Sequence, residues 1–191
     1  MSLLSDLPSV EELELENKRV FFRLDLDLAV DAQGVVLSDV SRLEGALPTL
    51  KHAAQAGAPI IIGSHRGQPK GRQQPDLSLE PVGAKLAELT GWDIILPDEC
   101  VGEAARKAIS DVRPGQVVLL ENLRFHPGEE ANDEGFAREL ASMTDVYVND
   151  ALAASNRAAF SFVKSNPSSI NRVGVFSDIC SSPRLSSPMT R

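Results

Sequence analysis

Residues 117–130 read Val117-Val-Leu-Leu-Glu-Asn-Leu-Arg-Phe-His-Pro-Gly-Glu-Glu130. The first half is a continuous apolar run introduced by Gly115, the pattern of a strand buried on both faces of a sheet. The second half changes abruptly to Asn122, Arg124 and His126 and closes at Pro127-Gly128, a strong turn signal. A cationic loop thus leaves the carboxyl end of a buried strand, which is where open parallel sheets hold their ligands.

The same arrangement recurs on either side. Upstream, Ala58 to Gly63 is a second buried strand, followed by Ser64-His-Arg-Gly-Gln-Pro-Lys-Gly-Arg72, rich in glycine and cations. Nearer the N-terminus, Phe22, Leu24 and Leu26 alternate with Arg23, Asp25 and Asp27, giving a strand that ends near Leu24 and a polar loop through Gly34. Asp39 or Ser41 caps a helix carrying Leu43, Leu47, Leu50 and Ala54 and stopped by Gly57, with Pro48 expected to kink it. Ser78 caps a helix with Val82, Leu86 and Leu89 on one face, ended by Gly91. A third strand, Asp93 to Leu96, leads into Pro97-Asp-Glu-Cys100 and a short helix from about Gly102 to Ser110. Downstream, Asn132 or Asp133 caps a helix with Phe136, Leu140 and Met143, then come the strand Asp145 to Val148 and a polar loop from Asn149-Asp150 to Arg157.

Strands alternating with helices predict an α/β fold: a Rossmann-like, three-layer parallel sheet with helices on both faces. Beyond about Ser161 serine and proline accumulate and periodicity vanishes. The expectation is one domain over 1–163 and a poorly ordered Ser/Pro-rich tail over 164–191, in which Val173 to Phe176 adds at most one short strand.

With 191 residues, 42% hydrophobic and 24% charged, the chain is sized and composed as a soluble globular domain. A net charge of -8 argues against general binding to nucleic acid or anionic membrane. The two cysteines, Cys100 and Cys180, give neither a disulfide framework nor metal-ligand spacing. An acidic N-terminal segment without a basic n-region is no secretory signal, and no apolar run is long enough to span a bilayer. The cytoplasm is the expected compartment.

Against this acidic background, Arg23, Arg66, Arg124 and Arg157 all fall at or just past the carboxyl ends of predicted strands, with Lys70 and Arg72 farther along one loop and Arg42 opening the first helix. Planar guanidinium forks donate paired hydrogen bonds to phosphate and carboxylate, so the set points to a small anion. The plainer explanation, that arginine ends strands because it is soluble, suits any single one as well; for the set it is the lesser reading. His65 and His126 serve these loops either as anion donors and proton carriers or as loop caps. Asp25 and Asp27 either orient substrate hydroxyls or are solvated strand ends. No Gly-x-Gly-x-x-Gly opens a helix, and there is no Walker-type phosphate loop, nucleophile elbow or zinc spacing.

Taken in order, the loops resemble the N-terminal domain of phosphoglycerate kinase. The resemblance rests on Arg23-Leu-Asp-Leu-Asp27, Arg42-Leu-Glu-Gly-Ala-Leu-Pro-Thr49, Ser64-His-Arg-Gly-Gln-Pro-Lys-Gly71, Leu119-Leu-Glu-Asn-Leu-Arg-Phe-His-Pro-Gly-Glu-Glu130 and Asp145-Val-Tyr-Val-Asn-Asp-Ala151, together spanning roughly 18–161. It implies a half-enzyme that holds 3-phosphoglycerate or 1,3-bisphosphoglycerate, with magnesium-bound ADP or ATP held by a second domain in full-length members. It implies Asp25, Arg42, His65, Arg124 and Arg157 as substrate ligands. It implies no catalytic residue, metal or cofactor site in this chain.

Asp27 stands where the family has asparagine. Gln68 stands where it has an arginine ligand, and Arg66, which replaces a leucine, is the candidate to compensate. Leu152 to Phe160 lacks the family's glycine and two histidines. A unit charge pair at ~5 Å is worth about 3 kcal/mol at an effective dielectric near 20, so an ionised Asp27 beside a trianion predicts weak binding. Phosphoryl transfer requires the nucleotide in line with the acceptor, so the chain alone is expected to be inactive. The alternatives are a non-catalytic interaction or regulatory module, or the product of a disrupted gene.

Overall fold

The computed structural model describes residues 10–31, 33–36, 39–113, 115–151 and 172–174. Six strands form one sheet: β1 (Val20–Arg23), β2 (Ile60–Gly63), β3 (Asp93–Ile95), β4 (Gln116–Leu119), β5 (Val146–Asn149) and β6 (Arg172–Gly174), in the order β3-β4-β2-β1-β5-β6. The first five are mutually parallel, as the alternation of elements predicts. β6 returns antiparallel along β5, with Val173 opposite Val148. The expected short strand of the tail therefore exists over Arg172–Gly174, and the sheet is mixed at that edge; the rest of the tail, with its expected disorder, lies outside the described residues.

Helices α1 (Ser41–Gln55), α2 (Glu80–Thr90), α3 (Glu103–Asp111), α4 (Pro127–Ala131) and α5 (Glu134–Ser142) complete the layers. Strand side chains alternate between two cores. Val20, Phe22, Ile60, Ile62, Val117, Leu119, Val146 and Val148 meet Leu43 and Leu50 of α1 and Val82 and Leu86 of α2. Phe21, Ile61, Val118 and Tyr147 face the other way, onto Ala105 and Ile109 of α3 and Phe136 and Leu140 of α5. Burial on both faces is why these strands read as unbroken apolar runs rather than as alternating ones. No helix among the described residues is long and apolar enough to cross a membrane.

Several local expectations change. α1 runs uninterrupted through Pro48, because Pro48 and Glu44 are both exposed and the carbonyl that proline leaves without a donor can turn to water. Its cap position is Val40; Asp39 instead accepts from the Ser41 backbone N–H and hydroxyl in the turn before it. Pro127, read as part of a turn, opens α4, since its fixed φ suits a first helical position where an N–H would go unused. Asn132 ends that helix in the left-handed region, and Asp133 alone caps α5, accepting from Phe136 N at 2.8 Å.

Gly63 closes β2 in direct register with Arg23. A Cβ there would be driven into the Phe21 ring and would lie 3.2 Å from Leu123 Cδ1. Gly63→Ala is expected to destabilise the fold by about 1–3 kcal/mol, read as a lower urea midpoint. In a Phe21→Leu background the penalty should shrink, because the two sites share one contact. Equal midpoints for Gly63→Ala and the parent would show that the ring yields at no cost.

Candidate functional site

Parallel register brings the carboxyl ends of the central strands to one rim: Arg23 lies opposite both Gly63 and Asn149, and Leu119 opposite Ile62. The three loops that follow β1, β2 and β4 are tied to one another by buried polar side chains. Ser64 Oγ donates to Leu24 O and accepts from Leu26 N, each at 2.9 Å, joining the β1 and β2 loops. Asn122, fully buried, donates to Arg66 O at 2.7 Å and Leu77 O at 2.9 Å and accepts from Arg124 N at 3.1 Å. Glu121 accepts from Leu79 N, Asn122 N and the Ser78 hydroxyl. Each of these groups gives a hydrogen-bond partner to backbone of the crowded loops. Glu121, Asn122 and Ser64 have no role in the sequence reading beyond marking the motif. The one available signal for them is a polar residue directly after a fully buried run.

The candidate ligand residues divide into those that meet and those that do not. Asp25 Oδ1 accepts from Arg42 Nη1 at 3.0 Å, and the Arg42 side chain is half exposed. Asp27, exposed, accepts from the Gly67 N–H at 2.9 Å, clasping the β1 loop to the β2 loop. Arg124, 7% exposed, donates from Nη1 to Gly67 O at 2.8 Å, and Gly71 N–H returns a bond to Arg124 O. His65 is 6% exposed and lies within electrostatic reach of Arg23, Arg124, Asp25 and Asp27. Asp25, Asp27, Arg42, His65 and Arg124 thus belong to one connected cluster.

Arg66 turns elsewhere. Its Nε donates to Leu28 O at 3.3 Å, and its Nη1 donates to Asp76 O at 2.8 Å and Ser78 O at 3.0 Å. These bonds staple the β1 loop to the approach of α2. Gln68 is exposed on the β2 loop, and Arg157 lies outside the described residues. His126 takes the capping role of the two open to it: its Nδ1 accepts from Gly128 N at 3.0 Å and its ring stacks on Phe136 at 4.3 Å. Arg23, on the same rim in sequence, is buried in an ion pair with Glu129 at 2.8 Å.

Burial, then the charges of Arg23 and Arg124, push the His65 imidazole down to about 4, so the ring is neutral at physiological pH and donates through one nitrogen only. Asp150, just past β5 with its N–H on Arg23 O, is pushed up to about 6 by burial. Guanidinium and imidazole donors, with carboxylates close by, form a set chemically able to hydrogen-bond an oxyanion.

A family model described as phosphoglycerate kinase matches residues 10–175. Phosphoglycerate kinase from an Anaeromyxobacter species is 51% identical over 154 residues, covering 80% of this chain and 39% of that protein. The enzyme from Moorella thermoacetica is 47% identical over 150 residues, 78% of this chain and 38% of its own length. Among solved structures, phosphoglycerate kinase from Coxiella burnetii superposes with a TM-score of 0.68 at 34% identity, over 81% of this chain and 37% of that one. The Pyrococcus horikoshii enzyme gives 0.69 at 32% identity, over 81% and 39%. The chain spans about two fifths of the length of these relatives.

His65 binds fewer protons folded than unfolded between about 4 and its ordinary 6.5, so its share of stability is complete above 6.5 and is lost as pH falls through 4. Asp150 has the opposite sign: its folded form keeps a proton up to about 6, so its contribution fades as pH rises from 3.8 to 6. Urea unfolding of the parent and His65→Gln across pH 4 to 6.5 isolates the first term. The parent should lose up to about 3 kcal/mol relative to the variant on acidification. Parallel curves would mean that His65 titrates normally.

Proposed function

The chain belongs to the phosphoglycerate kinase family, and from that premise we propose that the loops after β1, β2 and β4 bind a small phosphorylated acid, 3-phosphoglycerate or 1,3-bisphosphoglycerate. The observation that carries this reading is the convergence of Arg42, Asp25, His65 and Arg124, from three separate connections, into one hydrogen-bonded and electrostatic cluster.

In the reaction that membership implies, a phosphoryl group passes between 1,3-bisphosphoglycerate and ADP, giving 3-phosphoglycerate and ATP. This chain supplies the phosphoglycerate side of that exchange. Arg42 and Arg124 offer charged donors to the acid's phosphate and carboxylate oxygens. Neutral His65 adds a single N–H, and Asp25 holds Arg42 in place while remaining an acceptor for a substrate hydroxyl. Arg157 joins this set as a proposed ligand. Magnesium-bound ATP or ADP completes the reaction in the family. Among the described residues no three His, Cys, Asp or Glu side chains gather as a metal site.

Asp27 and Gln68 favour a second reading, a non-catalytic module that retains the fold with little affinity for the acid. Asp27 adds a negative charge on the rim, and Gln68 contributes none of the positive charge an arginine would.

Calorimetry with 3-phosphoglycerate separates the two. The enzyme-like reading expects saturable binding that weakens with salt and falls about 10- to 100-fold in Arg124→Ala, the value of a charge-assisted hydrogen bond. Asp27→Asn keeps an acceptor for Gly67 N–H while removing a charge facing the ligand, and should bind roughly 10-fold tighter. No heat at millimolar ligand, in the parent and in Asp27→Asn alike, would leave the non-catalytic module. A coupled kinase assay on the same full-length preparation reports whether binding is accompanied by transfer.

A further inference from the structure

The most deeply buried charges lie beneath the rim and are not among the ligands named above. Arg23 is 2% exposed and Glu129 fully buried. Arg–carboxylate pairs favour a two-pronged fork, yet this pair uses one contact, Arg23 Nη2 to Glu129 Oε1 at 2.8 Å. The guanidinium is turned so that Nη1 donates to Leu24 O at 3.0 Å and Gly63 O at 3.4 Å, the two carbonyls at the start of the β1 and β2 loops. Nη2 also lies 3.5 Å from His65 Nδ1. Arg23 Nε and Glu129 Oε2 meet no hydrogen-bond partner among the described residues. A fork would satisfy both; the observed geometry forgoes it and spans Glu129, the loop carbonyls and His65 instead.

A guanidinium has no acceptor, so its contact favours the ring form whose Nδ1 carries no proton. The neutral ring then bears its hydrogen on Nε2. We propose that Glu129 is a positioning residue for His65: its carboxylate anchors the Arg23 guanidinium beside the imidazole, which fixes the ring as the Nε2–H form and leaves that N–H for the bound acid. The last step rests on the phosphoglycerate reading; the anchoring and the fixed ring form do not.

The groups that face His65 are Arg23 from β1, Asp25 and Asp27 from the loop after it, and Arg124 from the turn after β4. Glu129 acts on the ring through Arg23. This gives Glu129→Gln a diagnostic sign. Were charge alone at work, deleting a carboxylate beneath an anion site would tighten anion binding and push the His65 midpoint further down. If Glu129 positions Arg23, losing its charge frees the guanidinium, so the midpoint should rise and the anion should bind more weakly.

The test is nitrogen-15 NMR of the His65 ring against pH, with calorimetry using 3-phosphoglycerate, on the full chain and on Glu129→Gln. The parent is expected to show a bare Nδ1 and a protonated Nε2 with a midpoint near 4. In Glu129→Gln the midpoint should climb by at least one pH unit, both ring forms should be populated, and affinity should fall 3- to 10-fold. A parent ring protonated on Nδ1, or a folded variant whose midpoint is unchanged or lower, overturns the proposal. If the parent binds no 3-phosphoglycerate, the ligand reading fails while the ring measurement still decides the anchoring. Should Glu129→Gln not fold, Arg23→Met combined with Glu129→Leu leaves no buried charge uncompensated. That pair should populate both ring forms, and a ring still held as Nε2–H there also overturns the proposal.

Discussion

Four strands of four residues each, in parallel register and closed over on both faces, leave polar side chains no outlet except the strand ends. β1, β2 and β5 are buried at every position, and β4 at all but its first. Their ends align within a residue, so whatever chemistry the chain carries is delivered to one rim. The alignment has a steric condition. Phe21 on one core face reaches across Gly63, and only a residue without a side chain lets the ring and the neighbouring Leu123 occupy that space. The close packing of one core and the geometry of the rim above it therefore meet at a single glycine.

A second constraint follows from burial. Loops crowded onto one rim bring backbone carbonyls and N–H groups out of water, and each needs a partner. Here the partners are side chains from other loops: Ser64 for Leu24 and Leu26, Asn122 for Arg66 and Leu77, Glu121 for Leu79, Arg66 for Leu28, Asp76 and Ser78. This network explains why Arg66, standing where the family pattern has leucine, turns away from the cluster. The carbonyls of the α2 approach lie within reach of its fork, and guanidinium donors satisfy several acceptors at once.

The layered fold was legible because its signal is local: apolar runs end in glycine or polar loops, and helix faces repeat at fixed spacing. What escaped was either locally ambiguous or governed by distant residues. The direction of β6 escaped because nothing in a three-residue strand encodes parallel or antiparallel pairing. α4 was hidden because Pro127-Gly128 serves a turn or a first helical position equally well, and His126 supplies the cap that decides between them. The rim position of each arginine could be read from strand ends, but not its direction. Arg23 is claimed by a carboxylate 106 residues away, and Asp27 by an N–H 40 residues away. Resemblance carries positions, whereas side-chain orientation depends on partners that a linear motif does not contain.

These orientations bear directly on the proposed recognition of a phosphorylated acid. Arg42 is offset by Asp25 and Arg23 by Glu129, and Asp27 sits on the same loops, in a protein whose net charge is -8. At ~5 Å each carboxylate would repel a charge of the proposed phosphorylated acid about as strongly as a guanidinium would attract it, so on that proposal net charge is not the main source of affinity. What remains is the direction of individual donors, since a hydrogen bond weakens steeply as its angle closes. A site that relies on direction must hold its donors still. That accounts for the density of side-chain-to-backbone bonds around Ser64, Asn122 and Arg124, and for a histidine kept neutral by its surroundings rather than charged by a carboxylate partner.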